Sequence, residues 1–345
     1  MNGVSLFANV GIAETFISNH GINVKVANEL LENRVAFHKE HHPQCNTIQG
    51  DITNADVYRD VLKAAKENKC EFLIATPPCQ GMSIAGKMQE NDPRNSLIKY
   101  VIKMIQDLKP SYALIENVPG ILNTYLAHNG ETVKVVDFIV DGLKGYVVNY
   151  KVVDAADYGT PQSRKRAIFL ISKKTKWEFP TTREKITVQE AIGHLPSLEN
   201  GETSDIEHHK AKKHNARHVQ SLKHTPTGKT AFHNETHYPK KADGTRIKGY
   251  ATSYKRIEWG KPAPTITMAN GSISSQNNVH PGVLKKDGTY SDARVLTLKE
   301  IFILTGLPED WQPPKWASEN LIRTVIGEGV PPRLIDALLT TIPKR

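Results

Sequence analysis

A cysteine and a glutamate follow two short apolar runs, a position from which side chains can do chemistry. Residues 72–75 have the pattern of a buried strand, and Pro77-Pro78-Cys79 comes directly after them. A second run, residues 112–115, leads into Glu116. Because open α/β sheets keep reactive groups at the carboxyl ends of their strands, we expect this thiol and this carboxyl at one edge. On its own, Cys79 could equally be an ordinary loop residue. The presence of Glu116 at a second strand end favours a catalytic role for both.

The composition indicates a globular protein with room for two domains. The chain has 345 residues, 39% hydrophobic and 23% charged, which is more than one minimal domain needs. We find neither an apolar run long enough for a membrane span nor a signal peptide, so we expect a cytoplasmic protein without a membrane partner. Its three scattered cysteines do not form a disulfide framework or a Cys-x-x-Cys zinc pair.

Positive charge is concentrated in one segment of the chain. The formal net charge is +9, and residues 207–262 contain 13 Lys or Arg against four Asp or Glu, a difference that equals the net charge. A neutral body with one basic segment indicates a surface for a polyanion, and nucleic acid is favoured over a solvated lysine face. Lys240 and Lys241 are the side chains that we expect on phosphates.

Short apolar runs alternate with helical patterns as far as residue 172, which predicts a doubly wound parallel sheet. The predicted strands are Val4–Ala8, Val24–Glu29, Phe72–Thr76, Tyr112–Asn117, Val147–Val153 and Ala167–Ile171. The predicted helices are Ile12–Asn19, Leu30–Glu40, Asp56–Glu67, Ser96–Leu108, Thr132–Leu143, Thr297–Thr305 and Pro332–Thr341.

The amino-acid composition is different from about residue 180 to 290, where His, Lys, Gly, Thr and Pro are frequent and apolar runs are few. This predicts a smaller, irregular recognition domain. His208, His209, His214 and His218 lie close together in sequence, but no cysteine or carboxylate cluster accompanies them. We therefore interpret them as surface or nucleic-acid-facing histidines and predict no metal site.

Read in order, the motifs of this chain resemble those of the DNA cytosine-5 methyltransferases over nearly its whole length. Any one motif recurs by chance, whereas the ordered set is specific. The matching segments are Leu6–Gly11, Glu29, Gly50–Ile52, Pro78–Gly81, Glu116–Val118, Asp157–Gly159, Gln162–Arg166, Arg294–Thr297, Glu300 and Gly327–Pro332. The resemblance implies a Rossmann-like methyltransferase domain over residues 1–177, a target-recognition domain over 178–320, and a segment, 321–345, that returns to the first domain.

The resemblance also implies the reaction. Cys79 would add to C6 of cytosine and make C5 nucleophilic toward a methyl sulfonium. Glu116 would hold a proton at N3, and Arg166 would donate to the base O2 and, with Arg164, favour the thiolate and bind a nearby phosphate. Since the target base is stacked in a duplex, it must be flipped out. The implied DNA contacts lie in the loop after the cysteine and before the arginines, at Gln80, Ser83, Arg94 and Gln162.

The implied methyl donor is S-adenosyl-L-methionine, with S-adenosyl-L-homocysteine as product. Glu29 would accept from the ribose hydroxyls, and Asp51 with the amide of Ile52 would recognise adenine. Two positions depart from the family pattern, Asn9 in place of a glycine and Glu328 in place of an asparagine. The full implied cofactor set is Phe7, Asn9, Gly11, Ile12, Glu29, Asp51, Ile52, Pro78, Glu328 and Val330.

The resemblance implies a bacterial or phage enzyme that acts as a monomer on double-stranded DNA at the nucleoid, paired with a cognate restriction endonuclease. Three alternatives remain open. One is a tRNA cytosine-5 methyltransferase, whose Cys-Phe-Thr signature is absent here, and another is a thymidylate-synthase-like enzyme, which would not need the cofactor motifs. The third is a DNA-binding homologue that no longer methylates because of Asn9 and Glu328.

Overall fold

The structure is a computed structural model that describes residues 1–78 and 96–343. The chain forms two compact units. The first comprises Met1–Asp154, Lys165–Thr182 and Pro332–Arg345, and the second comprises Ala155–Arg164 and Arg183–Pro331. The chain thus returns to the first unit at Pro332, whereas the predicted start of the returning segment is residue 321. The ten residues Ala155–Arg164, between two parts of the first unit, belong to the second unit. The functional domain boundaries stay a prediction.

The first unit is built on a seven-stranded sheet with the order β3-β2-β1-β4-β5-β9-β8. A separate antiparallel pair, β6 with β7, lies outside this sheet. The strands are β1 Asn2–Leu6, β2 Asn23–Glu29, β3 Asn46–Gln49, β4 Cys70–Ala75, β5 Tyr112–Asn117, β6 Tyr125–His128, β7 Glu131–Lys134, β8 Val147–Asp154 and β9 Lys165–Ser172.

The predicted α/β architecture is confirmed, but the sheet is not parallel throughout. Strands β1 to β5 pair in parallel, whereas β9 pairs antiparallel with both β5 and β8. Only residues 155–164 connect β8 to β9, and this is too short for the helical crossover that a parallel pair needs. The short polar strand β3 was not predicted, since it lacks an apolar run.

The described helices are α1 Glu32–His41, α2 Ala55–Glu67, α3 Leu97–Leu108, α4 Val135–Gly142, α5 Val188–Ile192, α6 Ala216–Lys223, α7 Leu298–Thr305, α8 Glu319–Glu328 and α9 Pro332–Leu339. Two predicted helices are wrong in part. The segment predicted as Ile12–Asn19 forms two 3-10 turns, Ile12–Glu14 and Ile17–His20. The segment predicted from Thr132 begins as β7, and α4 starts only at Val135.

Both faces of the central strands are buried, which explains why they are continuous apolar runs. Leu73 and Ile115 belong to the large core formed with α2, α3 and α4. Their neighbours Ile74 and Leu114 point to the opposite face and are equally buried. On this second face the Trp177 indole donates to the Leu338 carbonyl of α9 at 3.1 Å, so the C-terminal helix closes the first unit.

The second unit has little regular structure, and buried charge organises part of its interior. Arg294, fully buried, donates to Asp292 at 2.7 Å and to both carboxylate oxygens of Glu300 at 2.9 Å. Arg256, also fully buried, donates to backbone carbonyls, including that of His280 at 2.8 Å. Arg294 is therefore paired with carboxylates, whereas Arg256 is stabilised by hydrogen bonds to carbonyl oxygens. In the two described ranges, no helix is long and apolar enough to cross a bilayer.

Candidate active site

The carboxyl ends of β1, β4 and β5 are hydrogen-bonded to one another. The Thr76 hydroxyl donates to the Phe7 carbonyl at 3.0 Å. The buried Asn117 side chain donates to the Pro77 carbonyl at 3.1 Å. Asn117 thereby fixes the first of the two prolines that lead to Cys79, a role that its place directly after Glu116 could have suggested. Pro78 is the last described residue before the gap, and Cys79, Gln80, Ser83 and Arg94 lie outside the described residues.

Glu116 and Arg166 form an ion pair at this edge. The Arg166 Nε lies 2.6 Å from Glu116 Oε1, and the two side chains are 12% and 8% exposed. The pairing follows from the antiparallel register, in which Glu116 lies opposite Ile168, so the start of β9 meets the end of β5. The structure thus brings together two of the four predicted catalytic residues. They form a charge-assisted pair at the end of β5 that is mostly shielded from solvent.

The turn after β1 has the backbone form that close approach to a ligand requires. Phe7, Asn9 and Gly11 have φ values of +59°, +52° and +83°. Asn9 therefore takes up the left-handed conformation that Asn adopts more readily than most residues. Gly11 cannot be replaced by a larger residue without a shift of its neighbours, because a Cβ there would lie 2.1 Å from the His42 ring nitrogen. Ile12, buried, begins the 3-10 turn that follows.

Glu29, at the end of β2, has its carboxylate fixed by three backbone amides. Oε2 accepts from Asn9 at 2.9 Å, and Oε1 accepts from Leu30 at 2.9 Å and Leu31 at 3.1 Å. A carboxylate oxygen has about two lone pairs, so this leaves room for one further donor at Oε2 among the described contacts. Leu30 and Leu31, 55% and 43% exposed, are apolar surface directly beside it.

Asp51 and Ile52 follow β3 at the neighbouring strand end. Asp51 is exposed and accepts from the Thr53 amide at 2.9 Å, while Ile52 is buried beneath it. The Asn28 side chain donates to the Gly50 carbonyl at 3.1 Å and so ties this loop to β2. An exposed carboxylate on a fixed loop can accept from an amino group, which is what recognition of adenine requires.

Arg164 and Gln162 lie inside the second unit. The Arg164 guanidinium donates to the carbonyls of Ile266 and Gly327 at 2.9 Å each. Gln162 is 1% exposed, and its amide accepts from the Ile266 N–H at 3.2 Å and donates to the Leu304 carbonyl at 3.4 Å. Gln162 is therefore positioned as a structural residue, and we do not retain it as a DNA contact. The phosphate role of Arg164 stays a prediction.

Glu328 and Val330 also belong to the second unit. Glu328 ends α8, and Val330 is buried just beyond it. The glycine before them is required by packing, because a Cβ on Gly327 would lie 2.3 Å from the Thr267 carbonyl oxygen. Their place beside a cofactor stays a prediction.

Lys240 and Lys241 lie in a basic, aromatic part of the second unit. The ammonium of Lys240 lies 4.6 Å from the ring centre of Tyr238, and the guanidinium of Arg246 lies 4.2 Å from the same ring. Lys241 is exposed, as is Tyr250 at 78%. This combination of cations and aromatic surface is typical of a nucleic-acid contact.

The four clustered histidines are less exposed than predicted. His209 is fully buried and bonds to Thr297 Oγ1 at 3.0 Å and to the Pro196 carbonyl at 2.9 Å. Burial lowers the pKa of His214 to about 4. The interpretation of His209 as a surface or DNA-facing residue is therefore wrong, because it supports the start of α7 instead.

Fold and site together define a class of protein, a doubly wound α/β protein whose sheet edge holds a left-handed turn and acidic strand ends. Comparisons with known proteins make this more specific. The family model for C-5 cytosine-specific DNA methylase matches residues 1–344. The Type II methyltransferase M1.HgaI of Avibacterium volantium is 48% identical, covering 99% of this chain and 97% of that protein. M1.HphI of Haemophilus parahaemolyticus, also a Type II methyltransferase, is 27% identical, covering 99% and 86%.

Solved structures agree on the fold. A prophage-encoded protein of Escherichia coli, assigned as a DNA modification methyltransferase, has a TM-score of 0.69 at 21% identity, covering 99% of this chain and 98% of that chain. Spodoptera frugiperda DNMT2 has a TM-score of 0.64 at 17% identity, covering the same two fractions. The chain belongs to the C-5 cytosine-specific DNA methylase family. It is a DNA (cytosine-5-)-methyltransferase of an S-adenosylmethionine-dependent family, and the three alternatives are not favoured.

Proposed function

We propose that this enzyme methylates C5 of a cytosine flipped out of a specific double-stranded DNA sequence, through a covalent bond from Cys79 Sγ to C6. The observation that carries the proposal is the Glu116–Arg166 ion pair, which lies at the end of β5. Asn117 next to it fixes Pro77, two residues before the thiol. The carboxyl, the guanidinium and Pro77, which precedes Cys79 by two residues in the sequence, therefore lie on neighbouring segments, and this supports one reaction on one base.

The roles of the three groups follow from the electron flow. When the Cys79 thiolate adds to C6, electron density moves onto the ring, and a proton on Glu116 directed at N3 would stabilise it. Arg166 keeps the carboxyl in place and offers N–H donors for the base O2. After C5 has gained the methyl group, a base removes the C5 proton and the bond to Cys79 breaks. The Cys79 thiolate is thereby restored.

The residues at the strand ends fit S-adenosyl-L-methionine, which supplies the electrophilic methyl group when bound. Glu29 retains acceptor capacity at Oε2 for a ribose hydroxyl, and the exposed Asp51 would accept from the adenine amino group. Leu30 and Leu31 offer apolar surface for the flat face of adenine. The left-handed turn that contains Asn9 allows the backbone to approach the methionine part.

The biological setting that we propose is protection of host DNA from a cognate restriction endonuclease, with the enzyme acting as a monomer at the nucleoid. The support is the similarity over almost the full length to methyltransferases named as Type II. Lys240 and Lys241 would bind phosphates, which contribute to affinity for any sequence. Gln80, Ser83 and Arg94 would contact DNA from the loop after Cys79.

A mechanism-based trap tests the proposal. DNA containing 5-fluorocytosine should form a denaturant-resistant adduct with the protein when the methyl donor is present, because fluorine cannot leave C5 as a proton does. Cys79→Ala should abolish the adduct. Cys45→Ala and Cys70→Ala are matched controls that should retain it, since burial raises the pKa of these thiols to about 12 and about 11. An adduct that survives in Cys79→Ala would refute the assignment.

A further inference from the structure

Three potential metal ligands meet beside the turn after β1, in a place that the methyl-transfer reaction does not use. Glu14 ends the 3-10 turn that follows Gly11. His38 lies on α1, and His42 caps its C-terminus four residues later, so both rings lie on one side of the helix. Glu14 Oε2 lies 3.0 Å from His38 Nε2 and 4.0 Å from His42 Nε2. All three ligand atoms lie within 4.8 Å of one another.

The atoms that point away from this meeting point are held by other residues. The His38 Nδ1 bonds to Thr47 Oγ1 at 2.8 Å, which leaves Nε2 directed at the carboxylate. The other oxygen of Glu14 accepts from the Ser5 hydroxyl. Such outer hydrogen bonds are what orients histidine and carboxylate ligands in metal sites. The cluster therefore has an inner set of three donors and an outer set that fixes two of them.

Burial makes the cluster unusual among the described residues. The side chains of Glu14 and His38 are 2% and 0% exposed, whereas His42 is 26% exposed. A buried carboxylate needs a compensating positive charge or strong donors. His42 is the member of the cluster that solvent reaches. The described residues include no other group of three such side chains at these distances.

We propose that Glu14, His38 and His42 bind one divalent transition-metal ion of the zinc class. Two imidazoles with one carboxylate are a donor set that zinc accepts, and a fourth position is left for water. Bonds of about 2.0–2.1 Å place tetrahedral donors roughly 3.3–3.5 Å apart, which the observed 3.0 and 4.0 Å distances bracket. Binding replaces the His38–Glu14 hydrogen bond, because His38 would bind the ion through the Nε2 lone pair and keep its one ring proton on Nδ1, where Thr47 Oγ1 can accept it.

The site departs from our expectation of a metal-free protein, which considered the three cysteines and the histidines of residues 208–218. The signal in the sequence was the His38–His42 spacing of four on a helix, but the third ligand comes from a distant turn that no local pattern reveals. A bound ion would join α1 to the turn that contains Gly11, whose carbonyl lies 3.3 Å from His42 Nε2. Metal binding should therefore stabilise the first unit.

The experiment uses the full-length protein without an affinity tag, stripped with EDTA and titrated with Zn²⁺ alone. We expect one equivalent of Zn²⁺ per chain and a thermal midpoint that rises with Zn²⁺ concentration. His42→Ala should weaken Zn²⁺ binding at least about tenfold, since even outer-shell changes at metal sites have effects of this size. His41→Ala is the matched control, because it removes an imidazole from the same helix but not from the cluster.

A measurement on the wild type keeps the test independent of whether the variants fold. Zinc K-edge absorption should show nitrogen and oxygen neighbours at about 2.0–2.1 Å, with imidazole scattering and without the sulfur neighbours at about 2.3 Å that cysteine ligation gives. Sulfur neighbours would overturn the proposal, as would the absence of binding at micromolar Zn²⁺. Equal weakening in His41→Ala and His42→Ala would also overturn it. None of these results depends on methyl transfer.

Discussion

At the scale of single residues, the Glu116–Arg166 pair is the feature on which the proposed reaction most directly depends. The proposed reaction sets two requirements for Glu116: its carboxyl must point at the target cytosine, and it must exchange a proton with that base. The ion pair, with 2.6 Å between Nε and Oε1, would hold the carboxyl in place for the first. The second needs a carboxyl, which an amide cannot replace.

We therefore expect Glu116→Gln to retain the shape of the site and lose the proton. Its single-turnover rate of methyl transfer to DNA should fall by about 10²–10⁴-fold, the range of general acid catalysis. Glu131→Gln, the same substitution at an exposed position on β7, is the control and should react at the wild-type rate. A wild-type rate in Glu116→Gln would remove this carboxyl from the mechanism.

The sequence predicted the residue types of the site better than their surroundings. Glu116 was expected at a strand end because an apolar run precedes it, and the structure has it there. For Arg164 and Gln162 the local pattern could not show that residues 155–164 fold with the second unit, so their occupied hydrogen bonds were not foreseen. A side chain's partners come from distant parts of the chain, and one sequence does not contain that information locally.

At the scale of elements, α7 shows how a motif that looks functional can be structural. Thr297 and Glu300 form a capping box at the start of this helix, and Glu300 is also bound by Arg294. Burial would raise the pKa of Glu300, but the charges of Arg294 and His280 and its hydrogen bonds hold it at about 2. Burial lowers the pKa of His280 to about 4.

Both groups make the second unit sensitive to acid. His280 has a folded pKa below its ordinary value of 6.5, so stability is lost as the pH falls from 6.5 toward 4. Glu300 has a folded pKa below its ordinary value of 4.5, so its contribution is present above 4.5 and is lost as the pH falls toward 2. The thermal midpoint of the wild type, followed by circular dichroism, should decrease over both intervals.

Glu300→Gln should lower the free energy of unfolding at neutral pH by about 3 kcal/mol, the lower end of the range for breaking a buried ion pair, because the buried Arg294 keeps only Asp292 as a charged partner. It should also flatten the pH dependence below 4.5, where Glu300 titrates. Glu190→Gln changes the same position of a second capping box, on α5, which is exposed and lacks the arginine. Equal losses in the two variants would show that capping alone accounts for the effect.

Periodicity predicted long elements well and short ones poorly. The strand Tyr112–Asn117 was predicted with its observed bounds, since buried apolar runs leave few alternatives. The hairpin of β6 and β7 was missed because each of its strands has only four residues and is partly exposed. The antiparallel direction of β9 depends on the length of a connection, which hydrophobic periodicity does not encode.

At the scale of the whole molecule, the charge distribution predicts how the enzyme responds to salt. Residues 207–262 contain an excess of nine positive charges, all within the second unit. Cations on phosphates release counterions, so affinity for DNA should decrease steeply with salt. Lys240 and Lys241 are suited to this role because one is held against Tyr238 and the other is exposed.

Replacing Lys240 and Lys241 with Gln should weaken binding to every DNA sequence about equally. If both contact phosphates, the slope of log affinity against log salt should become shallower by about 1.8, that is, about 0.9 for each contact. Fluorescence anisotropy over a series of salt concentrations measures this slope on short duplexes. The control replaces Lys63 and Lys66, exposed residues of α2 in the first unit, and changes the net charge by the same amount. If both double variants had slopes equally shallower than the wild type, net charge alone would govern binding. If the Lys240 and Lys241 variant kept the wild-type slope, these lysines would not face DNA.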